Sequence, residues 1–233
     1  MNVFDPSIFD VNPDCVVNIS DIGNLYSRFI TVDDFFLYPE KILEFAETFP
    51  LQDNISKDPN EIKGFYPGYQ NYFVYNVKQL WDFVRYHADT IFGTQIRGLH
   101  TAYQCIDGSK KVYAQCNHPH TDSGLIAGNI FLSDTVEKGS GTRFYRHRET
   151  GEEATFANNC KYRRERYGSA YPNLELVDFE PVIEDQNFIS YHLAEEKFNR
   201  LNMYEGALFH SAFIEKGTYK NHLRKSISFL TQS

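Results

Sequence analysis

A chain of 233 residues that is 42% hydrophobic and 16% aromatic holds enough apolar material for the core of one compact domain. No apolar run approaches the ~20 residues that span a bilayer, and a net charge of −8 argues against broad binding to nucleic acid or anionic membrane. The start, Met1-Asn2-Val3-Phe4-Asp5-Pro6, lacks a basic stretch followed by an apolar one, and Cys15, Cys105, Cys116 and Cys160 form no C-x-x-C pair. A cytoplasmic protein with free thiols, no secretory signal and no structural zinc cluster is expected.

Residues 1–29 read as an irregular arm with short strands, punctuated by Pro6, Pro13 and Gly23. From Pro39 to Thr48 a helix is predicted, with Ile42, Leu43, Phe45, Ala46 and Phe49 on one stripe and Pro39 in the first turn, where its missing N–H costs nothing. A second helix is predicted over about Val77 to Phe92, capped by Asn76 and striped by Leu80, Trp81, Val84, Ala88 and Ile91. Residues 30–98 are therefore expected to be helical support for one sheet.

From Leu99 the period changes to two. Strands are predicted at Leu99 to Ile106, Lys111 to Cys116, Leu125 to Leu132 and Thr142 to His147. Three more follow at Phe198 to Met203, Ala207 to Phe213 beyond the Tyr204-Glu205-Gly206 turn, and Leu223 to Leu230. Short strands with Gly-bearing turns point to a mainly β (α+β) jelly roll, a cupin-like double-stranded β-helix occupying residues 99–231 of a single domain. Residues 149–199 read as a polar, tyrosine-rich insertion that need not belong to the barrel, and loops on a rigid scaffold are where substrate recognition is expected. Between Lys138 and Arg166, eight Lys/Arg stand against four Glu. A solvated, salt-bridged loop is the simpler reading of that surplus than a rim attracting anions.

The chemistry concentrates in His120-Thr121-Asp122 and His210. On an extended strand residues i and i+2 project from the same side, so His120 and Asp122 can chelate one ion while Thr121 points away. Two imidazoles and one carboxylate are the donor set of a mononuclear non-haem Fe(II) site with open positions for a co-substrate and O₂. His118 is a weaker alternative, since His-x-His lacks the carboxylate. Past His210, the segment Leu223 to Phe229 alternates, with Arg224, Ser226 and Ser228 on one face and Leu223, Ile227 and Phe229 on the other. An inward Arg requires an anion. A dicarboxylic co-substrate would supply it, gripped bidentately by Arg224 with a hydrogen bond from Ser226. Tyr145 and His147 share a strand face and are candidates to look into the cavity and touch substrate; Asn129 alternates inward if Leu125 does.

In this order and spacing, His120-Thr121-Asp122, His210 and Arg224-Lys225-Ser226 resemble the His-x-Asp...His...Arg-x-Ser pattern of the 2-oxoglutarate/Fe(II)-dependent dioxygenases, especially the prolyl-hydroxylase-like branch. Gly141 to Arg148, Phe198 to Leu201 and Phe35 to Ala46 are similar to an uncharacterised bacterial and bacteriophage subgroup of that superfamily. One departure is that Ser140 separates two glycines that the subgroup usually has adjacent. The resemblance implies Fe(II), 2-oxoglutarate and O₂ as cofactors, with ascorbate as an in vitro reductant, and a tyrosine, Tyr103 or Tyr113, against the co-substrate. It further implies hydroxylation of an unidentified prime substrate with release of succinate and CO₂, in a host's cytoplasm if the chain is phage-encoded. Two other readings stand beside it: a non-catalytic β-helix binding protein, and a zinc-dependent hydrolase using the same ligands, for which no general base is evident.

Overall fold

A computed structural model describes residues 5–53, 66–72, 78–122, 124–155 and 175–232. In chain order the elements are β1 (Val16–Ile22), β2 (Ser27–Asp33), α1 (Pro39–Ala46), β3 (Gln52–Asp53), β4 (Tyr69–Tyr72) and α2 (Lys78–Thr90). They continue with β5 (Gly98–Ile106), β6 (Lys111–Tyr113), β7 (Ile126–Phe131), β8 (Gly141–His147) and β9 (Leu176–Asp178). The last four are β10 (Phe188–Glu195), β11 (Arg200–Glu205), β12 (His210–Phe213) and β13 (Arg224–Gln232). The cap expected at Asn76 lies outside the described residues. No helix among them is long and apolar enough to cross a membrane.

The large sheet has the order β1-β2-β11-β7-β13-β5-β4-β3, the small one β10-β8-β12, and β6 pairs with β9 separately. Every pairing of named strands is antiparallel. From β7 onward the chain passes to β8 and β10 in the small sheet, returns to β11 in the large one, crosses to β12 and returns to β13. That winding between two facing sheets is a double-stranded β-helix, the fold expected from the strand pattern.

Alternation along the strands decides what each face meets. Ile30, Val32, Tyr103, Cys105, Ile130, Leu201, Met203, Ile227 and Phe229 leave the large sheet on its outer side and form one cluster with Ile42, Leu43 and Ala46 of α1 and Leu80, Val84 and Ala88 of α2. Each such fully buried Leu, Ile or Val side chain is worth roughly 1.5–3 kcal/mol. The two helices are therefore the cover that the sheet's outer face requires. Facing inward are Phe29, Ala127 and Tyr204, which pack with Phe144 and Ala194 of the small sheet and with Leu208.

Three boundaries differ from expectation. Residues 30–98, read as helical support, also carry β3 and β4, which extend the large sheet beyond β5. The predicted insertion 149–199 contains β10, which pairs with β8 along its length except at a bulge between Ser190 and His192, so residues 188–195 belong to the barrel. The polar and aromatic letters of Phe-Ile-Ser-Tyr-His-Leu-Ala-Glu hide a strand because one face packs under the segment around Val182 and the bulge breaks strict alternation. The arm 1–29 contains β1 and part of β2, a hairpin that extends the large sheet next to β11.

Candidate metal centre and the polar interior behind it

His120 and His210 are paired as an isolated antiparallel bridge, His120 N donating to His210 O at 2.9 Å and His210 N to His120 O at 2.8 Å. Asp122 N then donates to Gly206 O at 2.8 Å, which holds the carboxylate beside the turn entering β12. A Cβ at Gly206 would sit 2.3 Å from Gly124 O and 3.4 Å from Asp122 Cβ, so only glycine permits this approach. Strand pairing thus brings together ligands that lie ninety residues apart in sequence.

One ligating atom from each of His120, Asp122 and His210 lies within 4.8 Å of the others. Asp122 Oδ2 is 3.2 Å from His210 Nε2 and Asp122 Oδ1 is 3.9 Å from His120 Nε2. Two ligands about 2.1 Å from one ion and at right angles are about 3 Å apart, so Asp122 and His210 already have the spacing of adjacent ligands and His120 stands somewhat further out. His210 Nδ1 lies 2.8 Å from Leu208 O. A carbonyl only accepts, so Nδ1 carries the proton and the Nε2 lone pair faces Asp122, the orientation that a metal-binding imidazole needs. Burial pushes the His210 pKa down, but the charge and hydrogen bond of Asp122 and the Leu208 carbonyl outweigh it and raise it above its ordinary value. The site opens on the His120 side, where the side chain is 53% exposed, while that of His210 is 5% exposed.

Aromatic rings wall the centre. Tyr204 and Phe144 stand 5.0 and 6.2 Å from the His210 ring, and His192 lies 5.5 Å from Phe29 and 5.8 Å from Phe144. Burial, reinforced by the charge of Asp122, raises the Tyr204 phenol well above its usual range, so it stays a neutral donor. Burial likewise lowers the His192 pKa and favours the neutral ring.

Deeper between the sheets the lining is polar. Asn129 faces inward and donates to Thr142 Oγ1 at 3.3 Å; Asn202 Oδ1 accepts from Thr31 Oγ1 at 3.2 Å. Beyond them Arg224 and Ser226 occupy the inner face of β13, both buried. The anion that Arg224 requires comes from within the chain: Arg224 Nε donates to Glu196 Oε2 at 2.8 Å, and Nη2 donates to Gly141 O at 3.0 Å. This uses the edge of the guanidinium assigned above to a bidentate grip and leaves Nη1. The guanidinium lies 5.1 Å from the Phe131 ring centre. Near it is the buried Tyr66 hydroxyl, beside that of Ser226.

Three expected contacts are corrected. Tyr103 pairs with Ile227 and packs in the outer cluster against the helices, so the large sheet separates it from Arg224 and Ser226. Tyr145 and His147 point out of the small sheet: Tyr145 donates to Val182 O at 2.6 Å and lies 2.8 Å from Ser211 Oγ, and His147 lies 3.1 Å from Thr150 Oγ1 and edge-on to Phe188. The shared face was read correctly and its direction was not; Phe144, the residue between them, faces the barrel. Tyr113 joins a cluster at the far end with Ile106, Val112 and Tyr219, and His118 pairs with Asp185 at 3.5 Å instead of joining the triad. In the basic stretch, Arg146 and Arg148 are spent on Glu153 and Glu184. Sequence reading missed Glu196, Tyr66 and His192. The demand of an inward Arg for an anion was a signal for the first, but it could not say which of thirty-one acidic residues answers it.

The strand order and the ligand cluster define a double-stranded β-helix with a candidate three-ligand metal centre. The chain belongs to the family of unknown function DUF6445, whose model matches residues 13–224. That agrees with the uncharacterised subgroup it resembles in sequence. No curated protein matches it. Among solved structures it is similar to a prolyl-4-hydroxylase from Pseudomonas putida, with 10% identity, a TM-score of 0.43 and 84% of each chain covered. It is also similar to SnoN, a non-haem alpha-ketoglutarate-dependent epimerase from nogalamycin biosynthesis, with 9% identity, a TM-score of 0.47 and 88% and 78% covered. A third is HygX from Streptomyces hygroscopicus, solved with nickel, 2-oxoglutarate and hygromycin B, with 14% identity, a TM-score of 0.40 and 86% and 81% covered.

Proposed function

We propose that this chain is an Fe(II)- and 2-oxoglutarate-dependent dioxygenase that hydroxylates a substrate still to be identified. The observation that carries the reading is the convergence of His120, Asp122 and His210 within 4.8 Å, with the Leu208 carbonyl selecting the ligating tautomer of His210. Two neutral nitrogens and one carboxylate suit a divalent iron and leave half its coordination sphere open. The polar interior favours the same assignment. Gly141, bonded to Arg224, lies three residues along β8 from Phe144, the partner of His210. At ~3.3 Å per residue that is about 10 Å, within reach of a five-carbon dicarboxylate chelated at the triad. Arg224 Nη1, the Ser226 hydroxyl and the buried Tyr66 hydroxyl would hold its tail, and the Asn202 amide nitrogen, unpaired among the described residues, offers a further donor on the way.

When bound, Fe(II) would supply the chemistry with O₂ that no side chain offers: one oxygen atom enters succinate as CO₂ leaves, and the other becomes the hydroxyl of the product. The chain's part is to fix the ligands, to keep Tyr204 neutral beside the centre and His192 neutral on the far side of Phe144, and to exclude water with Phe29 and Phe144. The neutral rings favour an uncharged C–H group facing the metal. The test is succinate formation from 2-oxoglutarate with Fe(II), ascorbate and O₂, with Asp122→Ala as the control. Wild type should turn over 2-oxoglutarate slowly even without its substrate, and Asp122→Ala should not, since it removes both a ligand and the charge that holds the ion. Equal succinate from the two proteins would identify background chemistry. None above a metal-free blank would favour the binding-protein alternative.

A further inference from the structure

Arg224 has a counter-ion before any ligand arrives, and that changes what the deep end of the barrel recognises. One Glu196 oxygen accepts from Arg224 Nε at 2.8 Å and the other from the Ser133 hydroxyl. Ser133 is itself positioned by Lys225 N, which donates to its oxygen at 2.9 Å, and Glu196 N donates to Ser140 O at 2.8 Å. The acid is therefore anchored through backbone and side chain, and the two charged side chains are 3% and 0% exposed. A carboxylate approaching the free edge of Arg224 meets a positive charge with a fixed negative charge just behind it. In a poorly screened interior such a pair acts as a dipole rather than as a cation.

Building on the dioxygenase reading above, we propose that Glu196 is a positioning and specificity-determining residue for the co-substrate. It holds Arg224 in place and cancels its charge, so the tail of a 2-oxo acid is gripped by hydrogen bonds from Arg224 Nη1, Ser226 and Tyr66 more than by net charge. The pocket so built accepts a polar tail with little preference between carboxylate and carboxamide.

The experiment is calorimetric titration of protein loaded with Mn(II) under anaerobic conditions, using 2-oxoglutarate and its neutral C5 amide. Wild type should bind the two within about tenfold of each other. Glu196→Gln keeps the size and an acceptor for Arg224 but removes the opposing charge. With charges ~6 Å apart and an effective dielectric near 20, it should tighten 2-oxoglutarate roughly ten- to a hundredfold and leave the amide unchanged. A purely structural role would shift both ligands together, and that result, or no gain for 2-oxoglutarate, would overturn the proposal. A wild-type preference for the carboxylate of a thousandfold or more would overturn it without any variant, which covers the case of a Glu196→Gln protein that does not fold. If neither protein binds either acid while Mn(II) still binds, the dioxygenase reading falls and this inference with it. Retained wild-type binding without the charge-dependent gain sinks this inference alone.

Discussion

Arg224→Ala is the substitution whose consequence the structure specifies most sharply. It strands Glu196, whose side chain is fully buried and whose remaining support is the Ser133 hydroxyl. Removing one partner of a buried ion pair costs about 3–5 kcal/mol, because the other charge is left in a medium that solvates it poorly. In a domain of this size each kcal/mol lowers Tm by about 2–4 °C, so a drop of roughly 6–20 °C is expected. Replacing both partners with apolar residues of similar volume, Arg224→Met with Glu196→Leu, removes the stranded charge and should recover most of the loss. Phe131, against which the guanidinium lies, offers the methionine an apolar neighbour. The assay is urea denaturation of metal-free protein, so that bound ligand does not enter the measured stability, with the two single variants and the double variant forming a cycle. A loss below ~1 kcal/mol for Arg224→Ala, or a double variant no more stable than the worse single one, would refute the assignment of Arg224 and Glu196 as a tight buried pair.

Two further outcomes are expected. In metal-free protein the His210 pKa lies above its ordinary 6.5, so protonation of that imidazole contributes stability that is fully present below pH 6.5 and is lost as pH rises through the raised value. A divalent ion must displace this proton, so its affinity should climb as pH rises through the same window, with proton release visible as a buffer-dependent calorimetric heat; affinity independent of pH there would contradict the ligand role. Tyr103→Phe should leave the affinities for Mn(II) and 2-oxoglutarate within about twofold of wild type, because Tyr103 packs in the outer cluster and the large sheet lies between it and the interior. A tenfold loss of 2-oxoglutarate affinity would return Tyr103 to the co-substrate.

Local chemistry and period carried much of this protein. His120 and Asp122 share a side because an extended chain alternates, and Arg224 and Ser226 share one for the same reason; neither statement needs a partner strand. The stripes of α1 and α2, and the strands of the second half, were legible because each buries one face against a neighbour and leaves the other free. Which face turns inward is a different matter. Tyr145 and Phe144 are both fully buried, one under the Val182 segment and one in the barrel, so hydrophobicity does not tell inside from outside on a strand covered on both sides. The same ambiguity misplaced Tyr103, whose strand has the helices on one face and the polar interior on the other. β10 escaped notice because a bulge shifts its alternation partway along. An inward Arg announces that it needs a negative charge, since burying it alone is too costly, but the requirement is electrostatic and carries no address. Only the crossing from β10 in the small sheet to β11 in the large one sets Glu196 against Arg224, and only that contact decides that the deep end of the barrel is balanced in charge before any ligand enters.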